Sequence, residues 1–280
     1  MFRIGAHVSI ADGFEAAVKH EVELGGNCGQ IFVGSPRGWA VSEITDTEAE
    51  SFRDTVGEQD IGPWIVHGTY LINLATPKDG LASKSIDCVQ DELDVASKLD
   101  IPYYVFHPGA HTGAGEGTGI ENVGERLSEV DVPSNVTLLL ENTAGKGTTV
   151  GKRLEDLNDM VETSAYEYGD LGICLDTCHL FAAGYDFTDE AAMDDLVDEI
   201  DSTVGIENVQ YLHLNDSKHP LGSEKDEHEH IGEGEIGEVG FRQFVNHDAL
   251  HEKPLVLETP EGEKGYAWNI EKVTEIRTDD

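Results

Sequence analysis

Nine side chains of metal-binding type stand out along this chain, His67, His107, Glu141, Asp176, His179, His213, Asp226, His228 and Glu258, and six of them, His67, His107, Glu141, Asp176, His213 and Glu258, recur at near-regular intervals. Imidazole and carboxylate together suit borderline divalent ions. A set of five His, two Asp and two Glu favours zinc, with manganese behind it, whereas magnesium prefers all-oxygen sites. Read singly, each member has a bland alternative. A lone histidine at a strand end is ordinarily structural, and KDEHEH (225–230) by itself reads as a solvated polar loop. What argues for a common site is the way these residues sit at the ends of apolar segments.

Those segments are FRIGAH (2–7), CGQIFV (28–33), PWIVH (63–67), PYYVFH (102–107), VTLLLE (136–141), LGICLD (171–176), VQYLHL (209–214) and PLVLE (254–258). They are continuous apolar runs, the pattern of parallel strands buried on both faces. Stretches such as 48–59, 81–100 and 190–205 lie between them and carry apolar residues at three- or four-residue spacing, as crossover helices do. Eight units of about 35 residues approach the ~31 of a typical eightfold barrel, so the chain is expected to form an α/β fold, a (β/α)8 TIM barrel, as one domain over 1–280. In that fold the carboxyl ends of the strands open onto one face. His7, His67, His107, Glu141, Asp176, His213 and Glu258 all close such runs, while His179, in DTCH, and the Asp226–His228 pair come from the loops that follow.

Composition sets further limits. The 56 acidic and 18 basic residues give a net charge of −38, yet 39% of the residues are hydrophobic and the acids are dispersed among Val, Ile and Leu segments. The chain is therefore expected to fold, with an acidic skin of the kind suited to concentrated salt. By itself this charge argues against a nucleic-acid partner. The four cysteines, Cys28, Cys88, Cys174 and Cys178, are too few and scattered for a disulfide framework, and Cys174 and Cys178 read as small core residues. With neither a membrane-length apolar run nor a signal peptide, the chain reads as soluble and cytoplasmic.

The segments GAHVS (5–9), HGTYLINLA (67–75), FHPGAH (106–111), LLENTAGKG (139–147), CLDTCHLFAAGYD (174–186), HLNDSK (213–218), DEHEHIGEGEIG (226–237) and PLVLETP (254–260) occur in this order. Together they resemble the endonuclease IV family of abasic-site DNA repair enzymes, from about residue 4 to 260. The resemblance implies a barrel holding three metal ions, usually zinc. His67, His107 and Glu141 would hold the first. Glu141 would bridge it, with a shared hydroxide, to a second held by Asp176, His213 and Glu258, and His179, Asp226 and His228 would hold the third. His7 would stand beside the cluster, outside the nine ligands.

The activity so implied is hydrolysis of the phosphodiester 5′ to an abasic site in duplex DNA, leaving a 3′-hydroxyl and a 5′-deoxyribose phosphate, by a monomer needing neither membrane nor nucleotide cofactor. Arg37, Trp39, Tyr70 and Leu71 match loop residues that contact DNA in the family; for Trp39 and Leu71, packing against neighbouring loops is the competing reading. Three positions depart from the family pattern: Pro36 and Gly38 replace commonly polar residues, and Glu227 a commonly basic one. Three divalent ions would bring about six positive charges to the site, where local charge outweighs net charge. The alternative function is a metal-dependent sugar isomerase or epimerase on the same barrel, for which Glu141, Asp176, His213 and Glu258 would suffice. The other five metal-type residues at the same mouth argue for the nuclease.

Salt adaptation has a direct check. The melting temperature is expected to fall by several degrees between molar and about 0.1 M salt, as screening of the acidic surface weakens. A rise over the same range would overturn that reading.

Overall fold

A computed structural model describes residues 2–277. Eight parallel strands close a barrel: β1 (Ile4–His7), β2 (Cys28–Ile31), β3 (Trp64–His67), β4 (Tyr103–Phe106), β5 (Thr137–Glu141), β6 (Leu171–Asp176), β7 (Val209–His213) and, after an added ribbon, β10 (Leu255–Leu257). The ribbon is a two-residue antiparallel pair, β8 (Asp216–Ser217) with β9 (His228–Glu229), in the loop after β7. The crossover helices are α1 (Phe14–Leu24), α2 (Asp46–Gln59), α3 (Asp79–Leu99), α4 (Glu116–Leu127) and α5 (Leu154–Thr163). Two helices, α6 (Thr177–Ala183) and α7 (Glu190–Thr203), share the connection after β6; α8 (Gly237–Asn246) and α9 (Glu263–Ile276) complete the outer layer.

The expected barrel is present, with differences at its edges. The first two strands are shorter than their apolar runs, beginning at Ile4 and ending at Ile31, because pairing with their neighbours stops there. His107 and Glu258 lie one residue beyond β4 and β10. The small ribbon has no signal in the sequence, since its strands are polar and only two residues long. No helix among the described residues is long and apolar enough to cross a membrane.

Alternation along each strand divides the core in two. Ala6, Ile31, Val66, Phe106, Leu140, Leu175, Leu212 and Leu257 belong to the large cluster shared with the helices. A separate cluster plugs the barrel interior: Cys28, Ile65, Val105, Leu139, Cys174, Tyr211 and Val256, one from each strand except β1. In β1 the equivalent position is Gly5, where a Cβ would collide with the Cys28 carbonyl oxygen, so only glycine fits. Two residues beyond each plug residue come Gln30, His67, His107, Glu141, Asp176, His213 and Glu258, and two beyond Gly5 comes His7. A period of two therefore stacks a polar ring on the apolar plug at the carboxyl end of the barrel.

Leu139 lies in the plug directly below Glu141 and is fully buried. Leu139→Ala is expected to cost about 2–5 kcal/mol, since a barrel wall cannot collapse into the void. The check is a denaturant titration in molar salt, with a lowered midpoint and an unchanged slope.

Candidate metal centre

Glu141 stands at the centre of the polar ring. Its Oε2 lies 3.4 Å from His67 Nε2 and 3.2 Å from His107 Nε2, while its Oε1 lies 3.2 Å from His213 Nδ1 and 3.3 Å from His179 Nδ1. Burial opposes ionisation of this carboxyl, but His107 and His213 hold it well below the usual carboxylate range. Among the described residues, four groups have ligand atoms within 4.8 Å of one another; three are made of His, Asp and Glu alone, namely His67, His107 and Glu141; Glu141, Asp176 and His213; His179, Asp226 and His228, and the fourth joins Cys178 to Asp176 and His228. Glu141 belongs to two of them. Glu258 stands beside the second group, with Oε2 3.8 Å from His213 Nδ1.

Four of the five candidate histidines are oriented by bonds that occupy one ring nitrogen and leave the other for the cluster. His67 donates from Nδ1 to the Gly68 carbonyl at 2.7 Å, and His228 donates from Nδ1 to the Glu258 carbonyl at 3.2 Å. His179 donates from Nδ1 to the Asn142 carbonyl at 2.9 Å, leaving Nε2 3.2 Å from Asp226 Oδ1. His213 donates from Nε2 to Gln30 Oε1 at 2.8 Å, which turns Nδ1 toward the carboxylates. Asp176 has two tasks: its Oδ1 caps α6 by accepting from His179 N at 2.8 Å, and its Oδ2 accepts from Asn215 Nδ2 at 2.6 Å.

Three of these orienting residues, Gln30, Asn142 and Asn215, are invisible to a sequence reading built on ionisable strand ends. Gln30 is the contribution of β2, the one strand with no such residue. Its amide nitrogen donates to Glu258 Oε1 at 2.6 Å and to His7 Nδ1 at 2.7 Å. Neutral His7, whose pKa is lowered chiefly by burial, then carries its proton on Nε2. A signal for Gln30 does exist, because it occupies the same inward position as the other ring members.

The loop carrying His228 is held by buried Asp216. Its carboxylate accepts from the backbone N–H groups of Gly232 at 2.9 Å, Gly234 at 3.0 Å and Ile236 at 3.0 Å, and from Ser217 N at 2.8 Å. A side chain at Gly234 would drive its Cβ into the Ser217 carbonyl oxygen, so HIGEGEIG needs glycine there.

The donor atoms fit divalent cations. His67 Nε2, Glu141 Oε2 and His228 Nε2 are buried without a hydrogen-bond partner among the described residues. Such orphaned polar atoms are costly unless something further binds them. At His228 a proton takes that place: although burial works against the charge, Asp226 and Asp176 lift its pKa to about 9, and Asp176, Asp226 and Glu141 likewise raise His179 well above its ordinary value. Cys178 approaches Asp176 and His228, but burial pushes its thiol up to about 12. Cys174 lies in the plug, and all four cysteines are buried and unpaired.

A cavity of about 600 Å³ opens above the cluster, lined in part by Trp39, Tyr70, Leu71, His107, Asp226 and His228. Tyr70 is 58% exposed, its ring 5.6 Å from that of His67. Arg37 is exposed, whereas Trp39 packs partly on the core beneath the Lys84 ammonium, which lies 4.5 Å from its ring. Gly38 closes a turn through its N–H to the Ser35 carbonyl at 3.0 Å, and Pro36 lies within that turn. Glu227 faces His219, 3.3 Å away.

The orienting bonds generate a test. Gln30→Leu is expected to weaken zinc binding about 10–100-fold, the usual effect of losing a ligand's outer partner. In the same chelator-competition titration, wild-type affinity should fall as pH drops from 8 to 6, with proton release on binding, because protons and zinc compete for the histidines. Unchanged affinity in Gln30→Leu would refute the orienting role.

Residues 18–276 match the family model described as xylose isomerase-like TIM barrel. The chain is 51% identical over 276 residues to a probable endonuclease 4 of Halobacterium salinarum, covering 98% of this chain and 99% of that one. Endonuclease IV from Thermus thermophilus superposes with a TM-score of 0.86 at 37% identity, covering 98% of each chain. A D-tagatose 3-epimerase-like protein gives a TM-score of 0.73 at 17% identity, covering 98% of this chain and 96% of that one, a likeness of fold alone. With identity of this order sustained over nearly the whole length, the chain belongs to the endonuclease IV family of the xylose isomerase-like TIM barrels.

Proposed function

We propose that this protein hydrolyses the phosphodiester 5′ to an abasic site in duplex DNA, leaving a 3′-hydroxyl and a 5′-deoxyribose phosphate, as a cytoplasmic repair enzyme. The observation that carries the reading is the sharing of one buried carboxylate, Glu141, by two ligand groups, one with His67 and His107 and one with Asp176 and His213. His67, His107 and Glu141 would hold one zinc ion, Glu141, Asp176, His213 and Glu258 a second, and His179, Asp226 and His228 a third. Bound there, the ions supply Lewis acidity at phosphate oxygens and lower the pKa of water so that it can attack near neutral pH.

The chain's own residues do the rest. Asn142, Asn215, Gln30 and backbone carbonyls keep the ligand atoms in place before substrate arrives, which lowers the reorganisation needed during reaction. The buried Nε2 of His7 has no hydrogen-bond partner among the described residues, and its proton is proposed to meet a phosphate oxygen. Exposed Tyr70 and Arg37, with Leu71 and Trp39 on the cavity wall, form the edge proposed to meet the duplex. A site lacking a base is the cheapest to extrude, since nothing need be unstacked. Because the surface is so acidic, binding is proposed to rest on the metal cluster, shape and this edge more than on lysines. A sugar isomerase would use four ligands and leave His67, His107, His179, Asp226 and His228 without a purpose.

The deciding assay is incision of a duplex oligonucleotide carrying one abasic site, in high salt, with and without chelation. Cleavage 5′ to the lesion is expected from the zinc-loaded protein. It should disappear on chelation and fall in Glu141→Gln by more than the ~10–100-fold typical of losing an outer partner. No incision by fully loaded protein would overturn the proposal and turn the search to sugars.

A further inference from the structure

Among the buried carboxylates that lie outside the metal cluster is Glu92. Glu92, on α3, is 3% exposed, and both of its oxygens lie 3.3 Å from the Thr69 backbone N–H, while Oε2 accepts from the Tyr104 hydroxyl at 2.8 Å. Burial pushes its carboxyl up to about 7. A well-packed apolar residue would avoid that cost, so the acid is better explained by the bonds it makes than by stability.

Those bonds reach two loops. Thr69 Oγ1 lies 3.0 Å from the Pro36 carbonyl, 3.1 Å from that of Gly38 and 3.4 Å from that of Ser35, and Tyr70 N donates to the Pro36 carbonyl at 3.1 Å. The turn carrying Arg37 is thus tied to the segment carrying Tyr70 by the Thr69 hydroxyl and the Tyr70 N–H, and Thr69 is itself held from below by Glu92. The Tyr104 hydroxyl lies 2.6 Å from where a Cβ on Gly68 would stand, so the backbone is pressed onto the same group. Helix α3 touches the first loop again, through Lys84 over the Trp39 ring at 4.5 Å and Cys88 Sγ at 4.0 Å from the Trp39 carbonyl oxygen.

We propose that Glu92 is a positioning residue that, through Thr69, locks the loops after β2 and β3 into a single rigid edge for reading the lesion. The inference rests on the abasic-site reading above for its consequence, while its structural content stands on the free protein. The lock lies outside the metal ligands, so its loss is felt in substrate capture more than in turnover.

The test uses the full, zinc-loaded chain in molar salt, with amide hydrogen exchange and steady-state incision measured together. Glu92→Met removes the acceptors at similar volume; Glu92→Gln keeps an acceptor for Thr69 and a partner for Tyr104. Glu92→Met is expected to speed exchange of residues 35–39 and 68–71 together and to raise KM about tenfold, the scale of one lost hydrogen bond to a charged or buried group, with kcat held. Glu92→Gln should restore both. Thr69→Val keeps the backbone bond and deletes the hydroxyl, so it should free 35–39 alone, and it decides the matter if Glu92→Met does not fold. Exchange confined to 68–71 in Glu92→Met, no gain in 35–39 for Thr69→Val, or kcat falling with KM unchanged would overturn the lock. If the wild type fails to incise, the functional reading falls, while the exchange data still decide the coupling.

Discussion

Alternation within a closed parallel barrel is the constraint on which the rest depends. Seven inward side chains fill the interior as an apolar plug, and the next inward position on each of those strands carries a polar group. Because the interior below is packed, those polar groups cannot sink into it, and because the barrel is closed they cannot splay apart. The result is a crowded ring of imidazoles, carboxylates and one amide. Shifting any strand by one residue would exchange its ligand for an outer apolar side chain, so the register that stabilises the fold is also the register that assembles the site.

Crowding creates an electrostatic demand that the ring alone leaves unmet. Glu141 has four imidazoles within 3.4 Å, yet several buried nitrogen and oxygen atoms around it remain unpartnered among the described residues. Protons satisfy part of this demand, and divalent cations would satisfy it more fully. The surrounding amides and carbonyls make the arrangement stiff: Gln30 links His7, His213 and Glu258, and Asn215 links Asp176 with the Glu258 backbone. The charge of the cluster is thereby separated from the net charge of −38 carried by the whole chain. An acidic exterior suits concentrated salt, while the chemistry is set by groups that solvent salt screens little.

The loops at the mouth follow a different logic from the strands. Asp216 gathers backbone N–H groups of the loop before α8, and Glu92 with Thr69 ties the loops after β2 and β3. Each uses a buried acid to fix backbone that has no sheet ladder of its own. Such devices hold irregular segments in place through buried hydrogen bonds.

The eight apolar runs, the repeat between them and the metal-type residues at their ends were legible in the chain, because strands buried on both faces impose continuous hydrophobicity and each unit contributes locally. Six of the nine candidate ligands were legible for the same reason, while His179, Asp226 and His228 stand in the segments that follow the strands and were picked out by their residue types, and the order of motifs around all nine carried the family resemblance. Gln30 was hidden by its neutral side chain, although its place in the period matched. The ribbon of β8 with β9, the two helices between β6 and β7, and the exact strand ends depended on pairing with neighbours. Tertiary structure alone decided that His213 turns Nδ1 inward, that Asp216 clamps a glycine loop and that Glu92 reaches the turn at Pro36 through Thr69. Those are contacts between residues far apart in sequence, whose partners and ring orientations follow from closure of the barrel and have no local periodicity to reveal them.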